Sequence, residues 1–467
     1  MILRLAGAAF AAFVFCAVIR PVAVEAAIHS DVLVVGGTPA GVAAAVAAAR
    51  SGDTVTLVSQ HSRLGGVLTD ATMDQWDLNL APNGASVEGG IFREIYGALG
   101  DAFTPARAAD VFADLVQSEP RIHTFVDAQP VATQVSGVAG ATRIDAVTFA
   151  GAGDERFKVR AAVVIDATDA GDLAALAGAR YDVGRQDTGL DERMQPVTLM
   201  FTLTGVDWPA LAHAYDLRAD GPGGADARRA WGYGTVMDDY WPSSPDVLVR
   251  DLNFGREPDG TVTVNAIDVL GIDARFPAEL ERARAIAVSE APRLIAFLRD
   301  RLPGLAGARI DHYAGALYVR ETRHVLGLEW LTATDVWNGV LPNDRIALGS
   351  YPLDLHPVIA TDHLAYAPLR HVYGIPFGTL VPRGFSNLLI ASPAISASHI
   401  ASGSARVVPT TIEEGQAAGT AAALALARHQ TLLELAQTPA GIATLQNDLR
   451  RDGAILDYTV PATIARR

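Results

Sequence analysis

The sequence predicts an α/β protein: a Rossmann-like domain with a parallel sheet, assembled from two separated stretches of chain, and an α+β domain inserted between them. Three observations lead there. A complete β–α–β pattern stands at residues 31–58, two further apolar strands end in polar turns near residues 166 and 391, and the composition changes between them. Strand ends arriving from distant stretches fit one sheet edge with one long ligand lying across it.

The first element is Asp31-Val32-Leu33-Val34-Val35, a short apolar run suited to a buried parallel strand. It enters the loop Gly36, Gly37, Thr38, Pro39, Ala40, Gly41. Residues 42–50 read as an alanine-rich helix that Ser51-Gly52 ends, and 54–58 as the second strand. Such a loop turns tightly and offers the helix's free N–H groups and positive dipole end to a pyrophosphate. Gly41 lets helix and strand pack closely. Two positions depart from the G-x-G-x-x-G pattern: Thr38 replaces the second glycine, and Ser59 replaces the acidic residue expected to hold ribose hydroxyls. Serine can still hydrogen-bond a ribose, less strongly than a carboxylate. Leu64, Gly65 and Gly66 follow. A glycine pair there lets backbone approach an extended cofactor beyond its pyrophosphate, an ordinary turn being the alternative.

Short strands with glycine-rich turns are expected at 123–126, 128–135 (which contains Val131), 144–150 and 157–165. They lead into Asp166-Ala167-Thr168-Asp169-Ala170-Gly171-Asp172, where Ala167, Thr168 and Asp172 mark a second polar strand end. Residues 28–185 thus form the first part of the nucleotide domain. Residues 186–372 differ: they hold Trp208, Trp231, Trp241, Trp330 and Trp337, strand-like alternation around 197–204, and a predicted amphipathic helix at 279–301. The aromatic residues there read as core rather than as a substrate platform. Residues 373–430 return to the first domain with a strand at 387–391 and a small-residue helix at 411–429, and 431–467 form a helical tail. No second dinucleotide loop is evident.

Composition narrows the function. Of 467 residues, half are hydrophobic and 19% charged, which excludes a disordered chain, and the net charge of −15 argues against a nucleic-acid or anionic-membrane partner. Cys16 is the only cysteine and Lys158 the only lysine. Disulfide, iron–sulfur, Walker-loop and Schiff-base chemistry lose their candidates. Arg4, an apolar run over 5–19, Pro21 and Val24-Glu25-Ala26 read as a Sec-type signal peptide covering 1–26, hence a periplasmic or secreted protein, with a retained N-terminal anchor as the alternative. No stable membrane span is expected after cleavage.

With these residues in view the chain resembles the FAD-dependent oxidoreductases that open with a Gly-Gly-Thr-Pro-Ala-Gly loop, a branch of the two-domain flavoproteins of glutathione-reductase-like fold. The likeness extends through Leu64-Gly65-Gly66, Gly89-Gly90-Ile91-Phe92-Arg93-Glu94-Ile95-Tyr96, Val164-Ile165-Asp166-Ala167-Thr168, Tyr318-Val319-Arg320-Glu321-Thr322-Arg323, Ile395-Ser396-Ala397-Ser398-His399 and Gly415-Gln416-Ala417-Ala418-Gly419. It implies non-covalent FAD and an FAD domain interrupted by a substrate domain. Two segments depart from that family: Ser59, where it usually has glutamate, and Ala391-Ser392-Pro393, where a glycine and an arginine are common.

A flavin carries the redox chemistry, so the protein must aim the substrate and supply a base, an acid or an anion clamp. The resemblance places the helix start at Thr410 and Thr411 against the flavin's pyrimidine edge, with a buried packing helix as the plainer alternative. His399, in a Ser/Ala/Gly-rich loop, suits proton transfer or else bonds loop carbonyls. Arg320 and Arg323 would clamp a substrate or pair with Glu321 between them. Asp354 and His356 form a further polar cluster of structural or catalytic use. His312 and His324 lack a supporting carboxylate at ligand spacing, so no metal is expected. The expectation is an exported FAD-dependent dehydrogenase or oxidase moving a hydride from a small organic molecule to FAD, with an external electron acceptor. The rivals are a binding protein on the same fold, and a reductase of alkenes or ketones.

Overall fold

The computed structural model describes residues 27–138, 140–218, 223–362 and 365–458. The predicted signal segment, residue 139, residues 219–222 and 363–364 of the inserted region and the last nine residues of the predicted tail lie outside these. Among the described residues no helix is long and apolar enough to cross a membrane.

The first sheet contains β1 (Ile28–Val35), β2 (Val55–Val58), β3 (Ile122–Phe125), β4 (Gln129–Val138), β5 (Ala141–Ala150) and β6 (Arg156–Asp166), ordered β3-β2-β1-β6-β5-β4. β3, β2, β1 and β6 run parallel; β2 and the C-terminal ends of β1 and β6 are apolar runs buried on both faces, while β3 is a partly exposed edge strand. The β4–β5 pair is antiparallel, and β5 joins β6 only through residues 156–159. That leaves the far end of β6 open to a late strand, Leu388–Ile390, which pairs with residues 164–166 in parallel. Val35, Asp166 and Ile390 therefore stand side by side at one sheet edge. The three strand ends converge as expected.

Helix α1 (Pro39–Arg50) crosses between β1 and β2, and all of its residues but Arg50 are buried. A twenty-residue helix near the C-terminus, Val408–Ala427, lies directly against it. Contact is close because Gly415 and Gly419 carry no side chain: a Cβ on either would stand 2.1–2.2 Å from the Ala40 or Ala44 carbonyl oxygen of α1.

Between these parts lies a second sheet, antiparallel and six-stranded. Its strands follow the order Gly224–Ala225, Arg229–Gly232, Leu252–Arg256, Val262–Asn265, Phe201–Thr204, Arg309–Tyr313. Two-residue alternation divides its faces. Ala230, Phe254, Val262, Val264, Phe201 and Leu203 are buried on one. Arg229, Trp231, Asn253, Thr263 and Asn265 face the other way. The expected amphipathic helix is present as Pro277–Arg301, buried along Ala283, Ala287, Ala291, Leu294 and Leu298, and it accommodates Pro292 within its length.

Candidate functional site

The glycine-rich loop explains its own departure from pattern. Thr38 is the N-cap of α1: its hydroxyl oxygen accepts from the Gly41 N–H at 3.1 Å, and the hydroxyl donates to the Ala167 carbonyl at 2.9 Å. Pro39 then starts the helix where a missing N–H costs nothing, so the helix begins three residues before the predicted start. A glycine at 38 would forgo both bonds. The other glycines are sterically required. A Cβ on Gly36, whose φ is +120°, would meet the Ala167 carbonyl oxygen at 2.3 Å, and one on Gly41 would meet the Gly36 oxygen at 1.9 Å.

Ala167 and Thr168 complete the knot. Asp166 is fully buried, and its carboxylate accepts from the Thr168 N–H and hydroxyl and from the Ala174 N–H at 2.7–3.0 Å. Thr168 accepts in turn from the Asp172 N–H. Gly65 and Gly66 take φ of +107° and +47°, and the Gly65 N–H donates to the Gly37 carbonyl at 2.7 Å, so the glycine pair packs onto the first loop. Leu64 is buried against Gly37.

Ser59 differs from expectation. Its side chain is fully buried, its hydroxyl donates to the His61 carbonyl at 2.8 Å, and its oxygen accepts from the His61 N–H. The one proton it has to give already closes a turn, so the side chain is not presented to a ribose. Val131 is exposed on β4, just beyond Ala128, whose N–H reaches the Ser59 carbonyl.

A cleft of about 330 Å³ opens above this knot. It is lined by Thr38, Pro39, Ala40 and Gly66 with Gln60 and His61, and by Ser392, Pro393, Val408 and Thr411. Val408–Ala427 starts there without a side-chain cap, so its first N–H groups lack the usual partner. Thr410, two residues in, is buried and its hydroxyl accepts from the Asn79 side chain. The N-termini of α1 and of Val408–Ala427 both open on this cleft, an arrangement that suits a dinucleotide's pyrophosphate and a ring that develops negative charge.

The cleft meets a larger chamber of about 580 Å³ along Tyr318, Arg320 and Arg406. The polar face of the second sheet forms one wall. The opposite side comes from the loop 73–80 and from Tyr351, Asp354, His356 and Tyr366. A continuous charged network crosses it. Arg320 donates to the Pro196 carbonyl and to Thr198 and lies 3.3 Å from Asp268. His356 Nδ1 is bonded to Asp268 at 2.8 Å, while its Nε2 is 3.7 Å from Asp354, too long for a hydrogen bond. Arg406 donates to Tyr318 at 2.5 Å and to Asp354 at 3.2 Å.

The electrostatics follow. Burial pushes the Asp268 carboxyl up, but Arg320 and His356 outweigh it and hold the pKa at about 2. Burial and Arg320 press the His356 pKa down, and the carboxylates of Asp268 and Asp354 reverse this, leaving it above the ordinary value. Asp268 is therefore acceptor-only, so the proton it holds belongs to His356 Nδ1, and Nε2 is the basic nitrogen. Asp77, also in the chamber, is raised by burial and then by Asp354.

Two predicted chemical residues fall elsewhere. His399 is no loop residue: it opens the short helix His399–Ala405, capped by Ser398, and is 7% exposed. Its Nδ1 and His324 Nε2 both bond Glu321 Oε1, at 2.7 and 2.9 Å, while Glu321 Oε2 accepts from the Gln195 N–H. In that buried His–Glu–His cluster both carboxylate oxygens of Glu321 are engaged, while His324 Nδ1 is buried without a hydrogen-bond partner. Arg323 donates to the Ala170 carbonyl and to Asp172, fixing the turn after β6. The expected pairing of the arginines with Glu321 is absent, because the two histidines occupy the carboxylate. Of the inserted region's tryptophans read as core, Trp208 is buried, whereas Trp231, Trp241 and Trp337 are 39%, 82% and 55% exposed.

Sequence reasoning reached Arg320, Asp354 and His356 and missed Arg406, Asp268 and Asp77. Arg406 had a usable signal, being the one charge between Arg383 and Glu413.

A family model described as FAD dependent oxidoreductase matches residues 31–449. Over 50 residues the sequence is 52% identical to sarcosine oxidase subunit alpha of Corynebacterium sp. (strain P-1), a match spanning 11% of this chain and 5% of that subunit. Solved structures with a similar chain path include a p-nitrophenol 4-monooxygenase from Pseudomonas putida, 11% identical, covering 94% of this chain and 92% of that one with a TM-score of 0.44. A flavoprotein/dehydrogenase from Cytophaga hutchinsonii is 12% identical, with 91% and 86% covered and a TM-score of 0.45.

Proposed function

Since the chain belongs to the FAD dependent oxidoreductase family, we propose that it is an exported flavoenzyme of the Gly-Gly-Thr-Pro-Ala-Gly branch that dehydrogenates a hydroxyl-bearing small molecule. FAD, when bound, would accept the two electrons as a hydride. Thr38, Pro39, Ala40 and Gly66 line the pyrophosphate end of its cleft, and the N-terminus of Val408–Ala427 faces the ring end. Gln60 and His61, which line the cleft beside Ser59, take over the ribose contact. Residues 1–26 support export, and an external acceptor re-oxidises the enzyme.

The observation that carries this reading is the His356–Asp268 pair, whose His356 lines the chamber that meets the cleft along Tyr318, Arg320 and Arg406. Asp268 holds the imidazole with Nδ1 protonated, and His356 Nε2 takes the substrate's hydroxyl proton as the C–H hydride leaves. Arg320 and Arg406 orient the hydroxyl oxygen on the carbon being oxidised and keep the chamber polar up to the cleft. The test is the visible absorption of protein expressed without residues 1–26, with and without added FAD, followed by anaerobic titration with alcohols. A flavin spectrum bleached by an alcohol is expected. A colourless protein that takes up no FAD overturns the proposal.

A further inference from the structure

The chamber wall mixes side chains that only donate hydrogen bonds with side chains that, when ionised, only accept them. Arg320 and Arg406 are 3% and 6% exposed, and each keeps its Nε without a hydrogen-bond partner. Asp77, Asp251 and Asp354 line the same space. Asp74 and Arg229 belong to the same wall, so a carboxylate guest meets repulsion from its ionised aspartates and an ammonium guest meets it from three guanidinium groups. A hydroxyl both donates and accepts and so serves both kinds of wall. Guanidinium, carboxylate and carboxamide are planar and two-pronged, a shape that matches a pair of neighbouring hydroxyls.

Strand register adds a second, independent feature. Trp231, Asn253 and Asn265 are direct cross-strand neighbours in the second sheet, so their side chains form one row on its polar face. On the opposite side Tyr366 pairs directly with Asp354. Each aromatic is thus set beside a polar group of the chamber. Both rings are solvent-accessible, Trp231 at 39% and Tyr366 at 49%. Flat rings beside hydrogen-bonding side chains suit a guest with an apolar C–H face and a polar rim.

We propose that this chamber is a binding site for a neutral polyhydroxylated ring, a saccharide presenting neighbouring hydroxyls between Trp231 and Tyr366. The inference deepens the dehydrogenase reading and takes its chemistry from it, while the binding stands on the chamber alone. The test uses the FAD-loaded protein and calorimetric titration with methyl glucoside, a panel of neutral mono- and disaccharides, gluconate and glucosamine.

At least one neutral sugar is expected to bind, and gluconate and glucosamine about tenfold more weakly, a difference of ~1.4 kcal/mol. Tyr366→Ala and Asp251→Asn are each expected to weaken the sugar by about tenfold with the flavin spectrum unchanged. Absence of binding by every neutral sugar overturns the proposal, as does tighter binding of gluconate or glucosamine. A yellow protein bleached by an amine or an acid but by no sugar sinks this inference and keeps the flavoenzyme. A colourless protein that binds the sugar does the reverse.

Discussion

At position 38 a threonine does what a glycine is expected to do and adds two hydrogen bonds. Removing them by Thr38→Ala should cost ~1 kcal/mol, the ordinary worth of an N-cap, and should weaken FAD retention because the cap also ties α1 to Ala167. Thermal melts with and without FAD measure both, and a variant as stable as the parent removes the cap from the account. His356 and His399 make opposite predictions. His356→Ala should slow substrate-driven flavin reduction by about 10²–10⁴-fold, the usual contribution of a positioned base. His399→Ala should lower the melting temperature and leave the reduction rate of the folded fraction nearly intact. The pH profile carries a sign. His356 accepts a proton only when neutral and its pKa lies above the ordinary value, so the rate should climb with pH through a midpoint above 6.5. A midpoint below that value contradicts the role given to Asp268.

The element scale is dominated by α1 against Val408–Ala427. Helix propensity by itself favours alanine over glycine by roughly 1 kcal/mol, so Gly419→Ala ought to stabilise an isolated helix. In the folded protein the new Cβ would stand 2.2 Å from the Ala44 oxygen, which forces the helices apart and moves the uncapped N-terminus off the cleft. Lower melting temperature and weaker FAD binding are expected, and a more stabilised variant would show that this contact is slack. The antiparallel sheet makes a related point. Its alternation, as in Leu252-Asn253-Phe254 and Val262-Thr263-Val264-Asn265, was visible in the sequence. Which face becomes core and which becomes chamber wall was not, because alternation states a period and not a direction.

Over the whole molecule, the loop 73–80 of the first part rests on the second sheet, and Asp74 presses on the backbone of Gly255. Burial, and then the neighbouring Glu257, push the Asp74 carboxyl up to about 8. Its folded pKa lies above the unfolded value near 3.8, so its contribution is fully present below pH 3.8 and is lost as pH rises toward 8. Glu321 works in the other direction. Burial raises it, but His324 and His399 hold it at about 2, so its contribution is present above the unfolded value near 4.5 and is lost as pH falls from there to 2. Asp74→Asn should flatten the fall in melting temperature between pH 5 and 8, and Glu321→Gln should remove the loss on the acid side. An unchanged profile in either variant places the charge elsewhere.

The sequence by itself determined the α/β architecture, the β–α–β unit, the glycine knot and the late return of residues 388–390 to the first sheet. The first three rest on local rules, apolar runs of strand length and turn residues with the required φ, which act over a few residues; the return followed from a third apolar strand with a polar end and from the family resemblance. Only the tertiary structure decided that His399 belongs to a buried carboxylate and that His356 faces the chamber. It also turned Trp231 outward and brought Arg320, Asp268 and Arg406 together from 138 positions of chain. Side-chain partners so far apart are chosen by packing and desolvation, which favour whichever donors and acceptors the fold leaves side by side, and spacing along the chain carries no record of that choice.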